Sequence, residues 1–423
     1  MATSRFPVGR LGALVGSQGV SAALGLVNVS LAAHALPTVA FGMLVTGLGL
    51  AQGLRLACTM QSWQALIRHR DGGALRLAAS LAWVEHALGA AAGCILLAIL
   101  RLGGAALGLD HAGVEALSWL ALGMACNAAD PWLGVLHARG KQGLVAAVQT
   151  GGAALRCGGV ILAVSGGSGV GGFVTAHICA DIATTVGAIL AASLVLRAGP
   201  HRLLHAWIRP LSPKRLAQRF PGLGRLLAAG SMTTVLGALA SQFDVPLVAL
   251  ILGPEEAGRF RLVRALAALA LVVSIPVRQM CQAHWTGSTA MHLRPMLLRS
   301  WLVAFPVGVL GLAVLAPWLD RLMPLLFGDH ALGLGGAATV MLGAAGLAVL
   351  AAPAQAVLVI LHRETKNALG QAVLVMVHLG LLPVLAVAGG LDLAVWSLGL
   401  ASAAMFLTVG LAVWLADRGR DGS

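Results

Sequence analysis

Charge is what this sequence has least of. Only 10% of its 423 residues are Asp, Glu, Lys or Arg, against about 25% in a soluble domain. A chain so poor in charge cannot clothe a globular core in water, which excludes a cytosolic enzyme, a secreted disulfide scaffold and a disordered tail. Tyrosine is missing altogether. The six cysteines (Cys58, Cys94, Cys126, Cys157, Cys179 and Cys281) each stand alone in a different apolar run, with no CxxC or Cys/His spacing. Neither a metal nor a redox centre is expected from them; they read as small hydrophobes. No HExxH and no nucleophile elbow occur. The run Gly167-Ser168-Gly169-Val170-Gly171-Gly172 has the form GxGxxG, but no strand precedes it, so it reads as a turn rather than a dinucleotide site. No cofactor is expected.

What the chain does have is apolar length. Hydrophobic residues make up 58% of it, in runs of about 20 residues, each enough to carry a helix across a bilayer core. The expectation is an all-α integral membrane protein with about twelve spans, near 11–34, 41–63, 79–100, 116–137, 144–164, 173–196, 226–251, 259–284, 301–319, 334–361, 368–388 and 393–416. Arg5 and Arg10 before the first run superficially resemble a signal peptide, but the run is too long for a signal h-region. It is expected to be a retained first helix.

The net charge of +13 follows topology rather than a nucleic-acid partner. With both termini inside, twenty of the 28 Lys and Arg fall in cytoplasmic segments, seven of them between Arg197 and Arg225. Only Arg101 and Arg321 fall in outer loops. That asymmetry is the positive-inside bias. Asp110, Glu255, Glu256, Asp320, Asp329 and Asp392 fall outside, and Trp63, Trp119, Trp285, Trp301, Trp318, Trp396 and Trp414 lie near span ends, as an interfacial belt requires.

The hydrophilic stretch 197–225 divides the spans six and six. Residues 1–196 and 226–423 are expected to form two six-helix lobes joined by a basic cytoplasmic linker, with a short interfacial helix at Trp207-Ile208. The halves repeat in part. At an offset of 216 residues, Asn28, Leu36 and Gly42 correspond to Asp244, Leu252 and Gly258. Parallel six-span repeats belong to transporters more than to membrane enzymes.

At these hairpins the run Leu36-Pro37-Thr38-Val39-Ala40-Phe41-Gly42 resembles the first-hairpin signature of polysaccharide-export flippases. So does Asp244 followed by Leu250 through Phe260. These Wzx-like proteins share a superfamily with MATE drug exporters and lipid II flippases. The resemblance implies two lobes in a V around a central cavity, and movement of an undecaprenyl-pyrophosphate-linked oligosaccharide from the inner to the outer leaflet of the cytoplasmic membrane by alternating access. Coupling to H+ or Na+ and contact with polysaccharide assembly enzymes belong to the same expectation. A MATE-like cation-coupled exporter is the alternative within the fold. A glycan polymerase or glycosyltransferase would need a larger outer loop than the 101–115 segment, so no enzymatic activity is expected.

Charges inside spans point independently to a cavity, since facing lipid would cost several kcal/mol. Arg55, Arg156, Arg261, Arg264 and Arg278 are candidate hosts for the pyrophosphate, because the guanidinium fork matches phosphate oxygens. Glu85, Asp130, His177, Asp181 and Asp244 are candidates for gating or ion coupling. Counting residues from each hairpin apex, at about 1.5 Å per residue, places Asp244 level with Arg264 and Arg156 level with Asp181. Arg55 has no acid on its own hairpin and is expected to be the principal pyrophosphate ligand, with a rival arrangement in which it competes with Arg156 for Asp181. Arg278 is expected to bridge to Glu85 or Asp130 as a cytoplasmic gate, unless each acid finds a polar neighbour within its own lobe. Mid-span Pro131, Pro246, Pro276, Pro353 and Pro383 are candidate hinges.

The topology is open to a direct check. In a cysteine-free background, Ser212→Cys is expected to react with a membrane-impermeant maleimide only after cells are opened. Labelling from outside intact cells would invert the assignment.

Overall fold

In a computed structural model the chain is described from residue 8 to 418, apart from 70–72, 275, 276, 279, 280, 282–284, 286–289 and 362. Every regular element among the described residues is a helix. The first half runs α1 Val8–Ala35, α2 Thr38–Cys58, α3 Ser62–Arg68, α4 Ala74–Gly103, α5 His111–Ser118, α6 Leu120–Cys126, α7 Asp130–Ala138, α8 Gln142–Ser165 and α9 Gly169–Leu196. Two short helices follow, α10 Pro200–Ile208 and α11 Pro213–Arg219. The second half comprises α12 Leu223–Gln242, α13 Asp244–Leu252, α14 Pro254–Val272, α15 Ala290–Phe327, α16 Gly335–Ile360, α17 Glu364–Ala394 and α18 Trp396–Arg418.

Among the described residues, nine helical segments are long and apolar enough to cross a membrane. The three remaining expected spans fall on α1, on the series α5–α7, and on α14 with the residues that follow it. The fold is therefore an all-helical multi-pass one with about twelve spans. The ninth span exceeds its expected bounds of 301–319. At 38 residues α15 is about 57 Å long, well beyond a hydrocarbon core of about 30 Å. Leu302, Val303, Val307 and Leu310 on it are exposed, as lipid-facing residues are.

Several spans are broken where the sequence supplies a reason. Between α2 and α3, Gln61 sits in the left-handed region at φ 50°, a conformation that costs a residue with a side chain about 1 kcal/mol or more. Its amide donates to Thr234 Oγ1 at 3.1 Å. Between α6 and α7 the chain leaves the helix at Asn127 and restarts at Asp130-Pro131. A proline suits a first helical turn, where no donor is required, and cannot continue the turn before it. Between α12 and α13 the chain only bends, since Phe243 keeps helical dihedrals (φ −87°, ψ −9°), and Pro246 lies in the first turn of α13. Of the prolines expected as hinges, Pro131 thus follows a true break in the helix. Pro353 and Pro383 instead lie inside helical stretches of α16 and α17; α17 breaks at Gly389 and Gly390, the latter at φ 64°. Pro276 lies outside the described residues.

The chain forms two compact units. One holds residues up to 28 together with 47–238; the other holds 29–46 and 239 onward. The division therefore falls inside α12, beyond the 197–225 linker where the sequence suggested it.

In the first unit the linker helices join the core. Leu216, Phe220 and Leu223 pack with Leu66, Leu77 and the fully buried Trp132. The indole of Trp207 on α10 meets Trp83 edge-on at 5.5 Å and stands 5.3 Å from His86. Trp83 Nε1 donates to the Trp207 carbonyl at 2.7 Å, and Ser80 Oγ accepts from Leu211 N at 2.9 Å. Because lipid tails are as apolar as side chains, helices in membranes associate by close packing of small residues. A Cβ added at Gly89 would stand 2.3 Å from the Met124 carbonyl oxygen, and one at Gly93 would stand 2.9 Å from that of Ala121. These contacts bring α4 against α6.

The second unit includes the first hairpin, and its apex shows why. A Cβ at Gly42 would lie 1.7 Å from the Pro254 carbonyl oxygen, and one at Gly258 would lie 3.3 Å from Gly42 Cα. Gly42 and Gly258 are the equivalent positions of the internal repeat, so the two copies meet through their glycines. His330 fastens the same hairpin. Its Nε2 donates to the Leu36 carbonyl at 3.1 Å and its Nδ1 bonds the Thr38 hydroxyl at 2.8 Å. Ser30 Oγ adds a bond to the Leu326 carbonyl.

Gly42→Ala is therefore expected to cost about 1–3 kcal/mol, as overpacking does, and to lower the melting temperature of the detergent-purified protein. Gly308→Ala on α15, where an added Cβ meets nothing within 4 Å, is the matched control and should not destabilise.

Candidate functional site

Three charged side chains from three helices meet in the first unit. Asp181 on α9 holds both arginines that the sequence proposed for this depth. Its Oδ1 accepts from Arg156 NH2 of α8 at 2.7 Å, and its Oδ2 accepts from Arg55 NH1 of α2 at 3.1 Å. Arg156 and Asp181 pair as their distance from the hairpin apex indicated. The expectation of an acid-free Arg55 is corrected: the rival arrangement, in which it shares Asp181 with Arg156, is the one found. Depth counting missed this because it compares residues within one hairpin and is blind to which face of α2 turns toward α9.

The trio is open rather than sealed. The side chains of Arg55, Arg156 and Asp181 are 34%, 30% and 22% exposed. They line a cavity of about 190 Å³ together with Gln52, His177 and Met124. His177, one turn before Asp181, donates from Nδ1 to the Phe173 carbonyl at 2.9 Å, which holds the ring along its helix. One carboxylate serves two guanidiniums, so the cluster carries a net charge of +1. Arg156 Nε is buried without a hydrogen-bond partner. Each fork keeps donors beyond those that Asp181 uses.

A second cavity of about 100 Å³ adjoins at Arg55, lined also by Thr59, Glu85, Asn127 and Asp130. The breaks in the helices create it. Thr59 follows the end of α2, Asn127 follows α6, and Asp130 opens α7. Ser62 Oγ, on the first residue of α3, donates to Glu85, so Glu85 has a polar neighbour within its own unit. Ser62 and Asn127 were not singled out from the sequence; the signal for Asn127 was its place just before Asp130-Pro131 in an apolar stretch, and that for Ser62 the polar Thr59, Gln61 and Ser62 near the end of the second span.

The second unit holds its charges differently. Asp244 is fully buried, and Arg264 Nε reaches its Oδ2 at 2.7 Å with only 9% of the arginine side chain exposed. The level pairing inferred from hairpin depth is thus observed. Arg264 NH2 also donates to the Ala240 carbonyl at 3.1 Å, and Val245 N donates to Asp244 Oδ1 at 2.9 Å. His378 of α17 completes the group. Its Nε2 faces Asp244 Oδ2 at 3.6 Å, too far for a hydrogen bond. Its Nδ1 lies 3.0 Å from Ser397 Oγ, whose proton goes to the Ala394 carbonyl at 2.6 Å. Neither His378 nor Ser397 was expected at the site; a histidine between Val377 and Leu379 was the available signal.

The remaining candidates are placed but not joined to these clusters by ion pairs. Arg261 lies one turn before Arg264 on α14 and feels the charges of both Arg264 and Asp244. Arg278 is partly buried and belongs to the second unit, whereas Glu85 and Asp130 belong to the first. No group of three or more potential metal ligands occurs among the described residues.

No protein-family model matches this sequence, and no curated protein matches it. Solved structures resemble it in fold. A multidrug-resistance MATE transporter of the MOP superfamily, in an inward-facing conformation, is 16% identical with a TM-score of 0.69, covering 96% of this chain and 95% of that one. The lipid II flippase MurJ, in an inward closed conformation, is 11% identical with a TM-score of 0.70, covering 95% and 87%. A MOP-superfamily transporter from Pyrococcus furiosus, described by the reverse polarity of its binding pocket, is 14% identical with a TM-score of 0.61, covering 96% of both chains. At these identities the likeness establishes the fold, which is that of MATE and lipid II flippase structures.

Proposed function

We propose that this protein is a flippase of the cytoplasmic membrane that carries a lipid-linked oligosaccharide, joined to its polyprenyl carrier by a pyrophosphate, from the inner to the outer leaflet by alternating access. One observation carries the reading: two guanidiniums share a single carboxylate beside an open cavity in the membrane interior. A net cation at that depth is expensive unless an anion visits it. A pyrophosphate presents several oxygens to the planar forks and favours arginine over lysine. Asp181 occupies the arginines while the cavity is empty and keeps them from splaying into lipid. The arriving pyrophosphate takes up the donors that Asp181 leaves free. Arg264 is better read as structural, because Asp244 and the Ala240 carbonyl already engage its fork. Polysaccharide assembly enzymes are the proposed neighbours in the pathway.

A second reading, a MATE-like exporter of organic cations, has its own support. Glu85 and Asp130 line the cavity next to Arg55, and two acids offer a cation or a coupling H+ or Na+ a place to bind. The fold serves both readings, since both kinds of protein are among its structural neighbours. The net positive trio disfavours a cationic cargo.

Proteoliposomes separate the two. With a fluorescent polyprenyl-pyrophosphate oligosaccharide, Arg55→Gln and Arg156→Gln are each expected to slow flipping about tenfold or more. Losing one charge-assisted contact is worth about 1.5–3 kcal/mol. The corresponding lysine variants should keep part of the rate. Wild-type flipping by a well-folded double Gln variant would contradict the assignment. Ethidium efflux from the same vesicles should not exceed that of empty liposomes. Efflux that Asp130→Asn abolishes would instead favour the exporter.

A further inference from the structure

Three further arginines converge away from the central trio. At the linker end of the first unit a cavity of about 300 Å³ is lined by Gly73, Arg76, Arg139, Leu196, Ala198 and Arg202. The arginines come from three separate places: the first turn of α4, the residue that follows α7, and the first turn of α10. Among the described residues none of them has an ion-pair partner. No acid stands in the first turn of α4 or α10, and neither N-terminus has a side-chain cap. The peptide dipoles at these two starts add partial positive charge, those at the ends of α7 and α9 in the same wall add partial negative charge, and the positive excess rests on the guanidiniums. All three arginines are exposed, so water screens their mutual repulsion, and an anion entering the hollow would meet three guanidiniums that no carboxylate holds.

We propose that this cavity binds a phosphate group, and that the phosphate is the headgroup of an anionic phospholipid of the cytoplasmic leaflet. The chemistry of the three forks selects phosphate. The surroundings select a lipid over a soluble ion. Val186, Leu190 and Leu194 are exposed on α9 at i, i+4 spacing, an apolar row that runs toward Ala198 in the cavity wall. Leu204 and Ile208 are exposed on α10, whose other face carries Trp207 into the core. An acyl chain would lie along the α9 row, with its phosphate held among Arg76, Arg139 and Arg202. Basic pockets at the cytoplasmic ends of spans are a recurrent setting for anionic headgroups. The proposal is independent of the cargo, because it involves no residue of the Arg55–Asp181–Arg156 trio.

Native mass spectrometry of the full-length protein, released from detergent after incubation with phosphatidylglycerol, phosphatidylcholine or inorganic phosphate, tests it. Wild type should retain one phosphatidylglycerol in preference to phosphatidylcholine. Arg76→Gln, Arg139→Gln and Arg202→Gln should each weaken retention about fivefold, the effect of one basic residue at an anionic surface, and the triple variant should abolish it. The Lys214→Gln/Arg215→Gln pair removes linker charge outside the cavity and should leave retention intact. Monodisperse elution confirms folding, and the single variants keep the test decisive should the triple variant aggregate. Equal retention of phosphatidylcholine, equal loss in the Lys214/Arg215 control, or undiminished binding by the single and triple variants would overturn the proposal. Inorganic phosphate binding as tightly as the lipid would overturn the lipid assignment.

Discussion

The Asp181 carboxylate, divided between Arg55 and Arg156, is the interaction on which the functional account depends. Its physics is unusual for a membrane interior. Charges there are tolerated when they cancel or when water reaches them, and this cluster does not cancel. One carboxylate holds two guanidiniums at 3.1 and 2.7 Å, leaving an excess of positive charge and several donors beside a hollow. The second cavity, which adjoins at Arg55, lies where the helices are interrupted. α2 ends before Thr59, α6 ends at Cys126, and α7 restarts at Asp130. Broken spans expose polar backbone and short polar side chains only where they line a cavity. Arg55 joins the two hollows, since it lines both the cavity of the trio and the one at the helix breaks.

The second unit shows the same residue types put to the opposite use. Asp244 and Arg264 pair one to one, the aspartate is wholly buried, a further guanidinium donor goes to the Ala240 carbonyl, and the other carboxylate oxygen accepts from the Val245 amide. Removing one partner of such a closed pair would leave an uncompensated buried charge, which is strongly destabilising. Asp244 corresponds to Asn28 in the internal repeat, so the copies differ at this position, a neutral amide in one and a paired acid in the other. The hairpin glycines Gly42 and Gly258 have stayed alike, because their backbones approach too closely for any side chain.

Much of this was legible in the sequence, for reasons that are themselves physical. Hydropathy located the spans because twenty apolar residues have few other places to go. Hairpin depth paired Asp244 with Arg264 and Arg156 with Asp181, because a fixed rise per residue converts sequence offset into height. The same arithmetic carries no information on rotation about the helix axis, so it did not bring Arg55 to Asp181. It also assumes continuous helices, and 116–137 is three short ones. His378 was passed over because a lone histidine in an apolar run gives no sign of what it faces. Residues 29–46 join the second unit through contacts with residues more than two hundred positions away, which no local pattern encodes.

The claim that the arginine pair awaits a pyrophosphate can be tested without reconstituting transport. The measurement is the affinity of the purified protein for three short polyprenyl ligands of one chain length: farnesyl pyrophosphate, farnesyl monophosphate and farnesol. If the trio hosts the pyrophosphate, affinity should fall by about tenfold or more with each phosphate removed, since each takes away at least one charge-assisted contact. Equal affinity for farnesol and its pyrophosphate would mean that the site recognises the chain alone, and the central claim would fail.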